Sequence, residues 1–369
     1  MLEKTLETCA LIYFIPRAST AILISRRPDP QVAVLLGTFE FACANKVFCS
    51  NILNLDGKDK STESPFSAYI SLCSYMLHHA YRSTRATAHG LLALLNFRLL
   101  VEDVALCKDL CDAENLMSVR LCRQRQPLLP MTAKQRPPIA HIMDVLLDTI
   151  NHNLRRHLDL QLYVSILGLL HRILSYLTFT RTRLAYHWSL LWQTLISFLR
   201  FLTTYAPSFA IHDPDLPALL KPFLSTLALS VISGETFLPD PGSYDDLFYK
   251  LVEAGDILTR FKNAFHAQIQ VITDTSTTIG PSSSTIDVLI QVSGHYQELV
   301  QEERDKGRLG NNPSPRQISK IIRQGYETLS LPSIEGLERW DRFREGDEKG
   351  MLKRAARMAV EDTRSLLKP

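Results

Sequence analysis

Leucine, isoleucine and aromatic residues return every three or four positions along most of this chain, and runs alternating strictly between apolar and polar residues are scarce. That spacing is the repeat of an α-helix, so the pattern predicts an all-α protein. Helices are expected over 31–53, 66–82, 84–112, 139–156, 158–179, 185–205, 216–233, 244–266, 286–304 and 315–329, followed by two short C-terminal pieces. Ser64 and Ser314 each stand before a proline, placing a capping hydroxyl ahead of a residue suited to the first helical position, and Gln317 completes a capping box with Ser314. The polar or proline-rich segments 55–63, 123–138, 273–284 and 306–313 read as connections, and the third has the composition of a disordered run.

The pattern over 185–205 suggests how these helices are arranged. Trp188, Trp192, Leu195, Leu199 and Leu202 follow one another at steps of four, three, four and three, while Leu184, Leu191 and Phe198 lie on an adjoining face. A helix apolar around so much of its circumference must be covered on more than one side. Stacked helical hairpins do this, and from Ile139 onward successive long helices begin roughly 20–40 residues apart, the spacing of armadillo or HEAT units. The expected architecture is an armadillo/HEAT-like α-solenoid of stacked helical hairpins.

The stretch 233–258 is the most distinctive in the chain. Gly234 is expected to close the preceding helix in the left-handed conformation, with Pro239 and Pro241 stiffening the turn that follows. Ser243 then reads as the next N-cap, with Asp246 three residues on, and Leu247, Leu251, Leu258, Phe261 and Phe265 supply one apolar face.

Composition narrows the class. A chain of 369 residues, 46% hydrophobic, has ample material for a large core, and a formal charge of +3 provides no strong field for nucleic acid. All seven cysteines fall between Cys9 and Cys122 without paired spacing, which fits a reducing compartment better than a secreted disulfide framework. The first residues lack a basic region, and Pro16 and Arg17 interrupt the apolar run after them, so no signal peptide is expected. Three segments, 160–179, 184–205 and 216–233, approach the length of a membrane span, but each carries charged or strongly polar residues within it. They read as buried helices; the alternative is a single-pass membrane protein with one span within 160–205.

No glycine-rich phosphate loop, zincin helix, nucleophile elbow or paired CxxC motif occurs. Cys107 and Cys111, with Cys122 and His141, would be the only metal-like set, and buried cysteines packed as small hydrophobes explain them better. Asp245 and Asp246 stand where a helix start favours acids in any case, and the adjacent His78 and His79 have no nucleophile beside them. No catalytic, cofactor-binding or metal-binding residue is therefore assigned.

Five ordered blocks carry a family resemblance: 183–192 (RLAYHWSLLW), 234–239 (GETFLP), 244–252 (YDDLFYKLV), 321–329 (IIRQGYETL) and 343–357 (FREGDEKGMLKRAAR). They resemble the C-terminal region of the armadillo-like helical domain-containing proteins from about residue 140 to the end. The resemblance implies a division into a poorly matched segment 1–30, N-terminal helical repeats over 31–138, a central armadillo-like helical domain over 139–305 and a C-terminal helical cap of the same array over 314–369. Members are longer on the N-terminal side, so the chain reads as a short form or a truncated gene model. What the resemblance implies in function is a non-enzymatic cytoplasmic adaptor, peripheral at the Golgi membrane, that acts in membrane traffic and phosphoinositide homeostasis by binding phosphatidylinositol 4-kinase beta or an Arf exchange factor.

The residues themselves point to one surface. The segment 335–368 mixes dense charge with aromatics at what the array would make an open end. Trp340 and Phe343 would anchor a protein partner there, or else cap the last repeat, while Arg342, Arg344, Lys353, Arg354 and Arg357 would steer an acidic surface. A second basic stretch, with Arg120, Arg123, Arg125 and Arg136 among prolines, reads as a solubilising loop.

Overall fold

Short polar side chains cut the helical pattern more finely than its apolar spacing suggests. The computed structural model describes residues 32, 34–55, 63–122, 131–154, 159–206, 215–275, 284–310, 314–332 and 334–366, and the expected segment 1–30 lies outside them. In place of one helix over 31–53 stand α1 (Val34–Ala44) and α2 (Lys46–Asn54). Asn45 between them is extended, and its side chain accepts from the amides of Val47 and Phe48. Asp103 does the same to the helix expected over 84–112, ending α4 (Thr84–Glu102) and capping α5 (Val104–Cys111). Ser64 caps α3 (Pro65–His78) as expected, and a 3-10 turn at Ala80–Arg82 follows it.

The remaining helices are α6 (Pro138–Asn153), α7 (Leu160–Thr180), α8 (Trp188–Tyr205), α9 (Asp215–Phe237), α10 (Pro241–Glu253), α11 (Gly255–Ala264), α12 (His266–Thr275), α13 (Thr285–Asp305), α14 (Pro315–Gly325) and α15 (Glu345–Leu366). Among the described residues there is no strand; Met117 with Arg136 and Arg120 with Met131 form isolated bridges. The chain divides into two units, one formed by residues up to 169 with those from 341 on, the other by 170–340.

In the first unit α4 is the shared partner: α1, α3, α5 and α15 all pack on it, and α3 also packs on α6. Phe66, Ile70, Leu77, Leu92, Phe97 and Leu146 are among its buried side chains. Two buried amides tie the helices by donating to backbone carbonyls: Asn96 to Leu35 at 3.0 Å, and Asn153 to Leu77 at 2.9 Å. The second donation satisfies a carbonyl in the last turn of α3, where no amide of the helix remains to reach it.

In the second unit α10 packs on α8, α13 and α14, α9 on α12 and α13, and α11 on α8 and α13. The apolar residues Leu247, Leu251, Leu258, Phe261 and Phe265 are all buried, yet the single helix expected over 244–266 is broken. The break frees carbonyls at the end of α10, and α13 takes them up, Ser293 Oγ donating to Leu251 at 2.9 Å and Gln297 Nε2 to Val252 at 3.1 Å. Gly255 makes room for that approach, since a Cβ there would stand 2.3 Å from Gln297 Nε2 and 2.6 Å from Ser293 Oγ.

Two expectations for the 233–258 stretch are corrected. Gly234 does not end its helix in the left-handed conformation: α9 runs on to Phe237. Its missing side chain serves packing, because a Cβ would lie 2.8 Å from the ring of Tyr244, whose hydroxyl donates to the Val231 carbonyl. The cap of α10 is Asp240, not Ser243; its carboxylate accepts from the Ser243 amide at 2.9 Å, and Pro241 then occupies the first helical position. Ser314 and Gln317 form the capping box expected for α14.

Of the three apolar segments, two give helices long and apolar enough to cross a membrane among the described residues, α7 and α9, and α8 is not one of them. Most of each apolar window is buried inside the protein.

Trp192 is fully buried and stacked on Trp188, ring centroids 5.6 Å apart. Trp192→Ala should lower stability by about 3–5 kcal/mol, as large aromatic truncations in cores do. An unchanged melting temperature would show that the stack bears no load.

Burial also holds three imidazoles neutral. His79, His89 and His171 are each lowered to about 4, in every case chiefly by burial, with Arg82 and then His152 adding to it at His79 and Arg85 at His89. Between pH 4 and the ordinary value near 6.5 the unfolded chain binds more protons than the folded one, so stability is complete above that window and falls as pH drops through it. The loss should approach about 1.4 kcal/mol per pH unit for each histidine in the middle of the window. Both ring nitrogens of His89 are buried without a hydrogen-bond partner. His89→Leu should accordingly flatten the acid limb of a melting-temperature profile, and an unaltered limb would remove His89 from the account.

Candidate partner-binding surface

The C-terminal segment forms one 22-residue helix where two short pieces are expected. Glu345, Asp347 and Glu348 occupy its first turn, where negative charge meets the positive end of the helix dipole. Met351 and Ala355, one turn apart, are buried as the helix packs on α4 and α1.

Two arginines on α4 staple this segment down. Arg98 Nε donates to Glu102 at 2.7 Å, Nη2 to the Asp341 carbonyl at 2.9 Å, and Nη1 lies 3.5 Å from Glu348. Its guanidinium sits 5.8 Å from the Phe343 ring centroid, and the Phe343 amide donates to the other oxygen of Glu102 at 2.7 Å. Phe343 also meets Phe39 of α1 edge-on at 6.1 Å. Thirteen residues earlier, Arg85 donates to the Met358 carbonyl at 3.1 Å and pairs with Glu361 at 3.3 Å. A rise of about 1.5 Å per residue puts these clamps about 20 Å apart along α4. None of Arg85, Arg98 or Glu102 stands out in the sequence, where Arg98 and Glu102 look like an ordinary surface pair one helical turn apart.

The sequence-predicted residues distribute as follows. Phe343 is half-buried in the clamp described above, so this end of the chain is covered by α4 and α1 rather than open. Arg342, Arg344, Lys353, Arg354 and Arg357 are exposed, and among the described residues none of them makes an ion pair. Trp340 is half-buried within the second unit, its indole N–H enclosed without an acceptor. On α15, Lys349, Lys353 and Arg357 succeed one another at steps of four, with Val360, Arg364 and Arg354 alongside, all exposed. Like charges so spaced cost about 0.2–0.5 kcal/mol per pair, so stability alone does not account for this face.

The other candidate chemistry resolves into packing. Cys107 and Cys111 are buried and hydrogen-bonded to each other, which with burial pushes the Cys107 thiol up, and burial raises Cys122 to about 12. His141 engages the Met117 carbonyl at 2.8 Å and Arg136 at 3.4 Å, and among the described residues no group of three or more His, Cys, Asp or Glu is arranged to hold a metal. Asp245 is a buried anchor for α14 and the turn after it, accepting from Arg323 Nε and the Tyr326 hydroxyl at 2.6 Å each. Of the second basic stretch, Arg136 pairs with buried Asp144 and Arg120 with Glu63, while Arg123 and Arg125 lie outside the described residues.

A family model described as Armadillo-like helical domain-containing protein 3, C-terminal, matches residues 136–365. The chain is similar to a Schizosaccharomyces pombe protein named as a membrane protein, with 30% identity over 239 residues, covering 65% of this chain and 39% of that one. It is also similar to armadillo-like helical domain-containing protein 3 of Danio rerio, at 26% over 64% of this chain and 34% of the relative, and of Homo sapiens, at 24% over 60% and 32%. The chain thus spans between about a third and two-fifths of the length of the curated relatives it matches. No solved structure matches it.

Arg98→Ala should loosen the terminal helix, raising amide exchange throughout α15 while α6 stays protected. The expected loss is about 1–3 kcal/mol, the range for hydrogen bonds to charged groups. Arg98→Lys should recover only part of it, because an ammonium cannot reproduce the planar fork that serves several acceptors. Unchanged protection of α15 in the alanine variant would show that apolar packing alone holds the helix.

Proposed function

This chain belongs to the armadillo-like helical domain-containing protein 3 C-terminal family, and on that premise we propose that it is a non-enzymatic scaffold, built as part of an α-solenoid, that works at the cytoplasmic face of the Golgi membrane. It acts in membrane traffic and phosphoinositide homeostasis by binding an acidic surface of phosphatidylinositol 4-kinase beta or of an Arf exchange factor. The observation that carries the reading is the unpaired basic face of α15. The helix is fixed to α4 by its apolar side and two arginine clamps, which leaves Lys353, Arg354 and Arg357 exposed and without an ion-pair partner among the described residues, able to meet a negatively charged protein. Arg342 and Arg344 extend the positive surface, with half-buried Phe343 contributing apolar area beside it.

A second reading rests on the fission-yeast relative named as a membrane protein and on the length of α7. It makes the chain an integral membrane protein with one span within 160–205. The burial of α7 among its neighbours favours the peripheral scaffold. Release of the protein into the supernatant by alkaline carbonate would exclude the span.

Lys353→Glu, Arg354→Glu and Arg357→Glu combined should reduce partner recovery in affinity purification from the native cell by tenfold or more. The melting temperature should hardly move, since exposed substitutions stay within about 0.5 kcal/mol. Undiminished recovery of the kinase or exchange factor would place the docking surface elsewhere.

A further inference from the structure

We infer that the corner after α7 is a direct contact for an anionic lipid surface, separate from the protein-docking face proposed above and sharing with it only the membrane as location. Phe179, in the last turn of α7, is 84% exposed, whereas of the eleven residues Leu167–Leu177 before it all but Gly168 are buried. Exposed Arg181 and Arg183 follow it in the turn, and exposed His187 and Leu190 come at the start of α8.

This corner is built, not loose. The Thr182 amide donates to Leu177 at 3.0 Å and the Arg181 amide to Thr178 at 3.2 Å, the paired bonds of a helix-ending motif that ordinarily takes glycine at its left-handed position. Arg181 holds that position with φ of 51°, and it is the one non-glycine residue with positive φ among those described. Thr180 Oγ1 bonds the Tyr176 carbonyl and the Thr182 hydroxyl at 2.8 Å each, and the Leu184 amide donates to the Phe237 carbonyl at 3.0 Å. The aromatic ring is therefore fixed outward by a strained turn that spends an arginine where glycine would be easier.

A single projecting phenylalanine followed closely by two exposed arginines suits the interfacial zone of a bilayer, where the ring sinks among acyl chains and the guanidinium groups stay at the phosphates. A protein groove would call for a broader apolar rim than Leu190 supplies. The facing segment carries the acids Glu235 and Asp240, and the Asp240 carboxylate is already engaged in capping α10. Each arginine at an anionic surface should strengthen binding about fivefold.

The test is flotation of the purified full chain with vesicles of phosphatidylcholine alone and of phosphatidylcholine with phosphatidylserine. The protein should float with the mixed vesicles only. Phe179→Asp should weaken that binding about tenfold, and Arg181→Gly with Arg183→Ser should remove the preference for negative lipid while easing the turn. Phe179→Trp should show blue-shifted emission on the mixed vesicles, quenched by brominated acyl chains. No variant should melt below the parent, and a collapsed melting temperature for Phe179→Asp would reveal a core residue and overturn the assignment. Equal flotation of Phe179→Asp and the parent would move the lipid contact elsewhere. Failure of the parent to float would overturn lipid as the occupant, whereas Golgi recruitment by a protein partner is read independently from the α15 charge reversal.

Discussion

Covering α4 is the constraint on which the first unit depends. Leu92, Phe97, Leu100 and their neighbours make this helix apolar over much of its surface, and no single partner can shield it. α1, α3, α5 and α15 share the task, so removing any one would expose apolar area to water. Arg98 belongs to the same problem, because it stands where the covering is incomplete and uses its charge to hold the last cover in place.

How far the sequence discloses this depends on the distance over which each determinant acts. The apolar repeat and the caps at Ser64 and Ser314 involve residues within four positions of one another, and they are readable directly. Asn45 and Asp103 are equally local, yet each sits inside an otherwise continuous apolar pattern, so a polar residue on a solvent face and a helix break look alike in sequence. At Gly234 and Gly255 the need for a missing side chain comes from another helix, which no local rule supplies. The seating of 341–366 is harder still: Phe343 bonds a residue 241 positions away, and Arg85 reaches across 276.

The candidate surfaces show the same division. Charge on α15 was legible as composition, and which of those charges lie on the outward face follows from helical spacing once the buried positions Met351 and Ala355 are known. The role of Phe343 was half legible, since an aromatic in mixed charge suits either an interface or a clamp, and only Arg98 and Glu102 decide between them. Phe179 gave no signal at all, because a phenylalanine completing an apolar run reads as core until the turn after it turns the ring outward.

The discontinuity of the first unit bears on how the chain is born. During synthesis α1 to α6 leave the ribosome long before α15 is made, with all of 170–340 translated in between. For that interval the strip of α4 under α15 lacks that cover, and Arg98 lacks its contacts to Asp341 and Glu348. The second unit, continuous in sequence, has everything it needs earlier. The nascent chain therefore carries all of the second unit and an incomplete first unit until α15 emerges, and that interval is when a chaperone or an early partner would find α4 open.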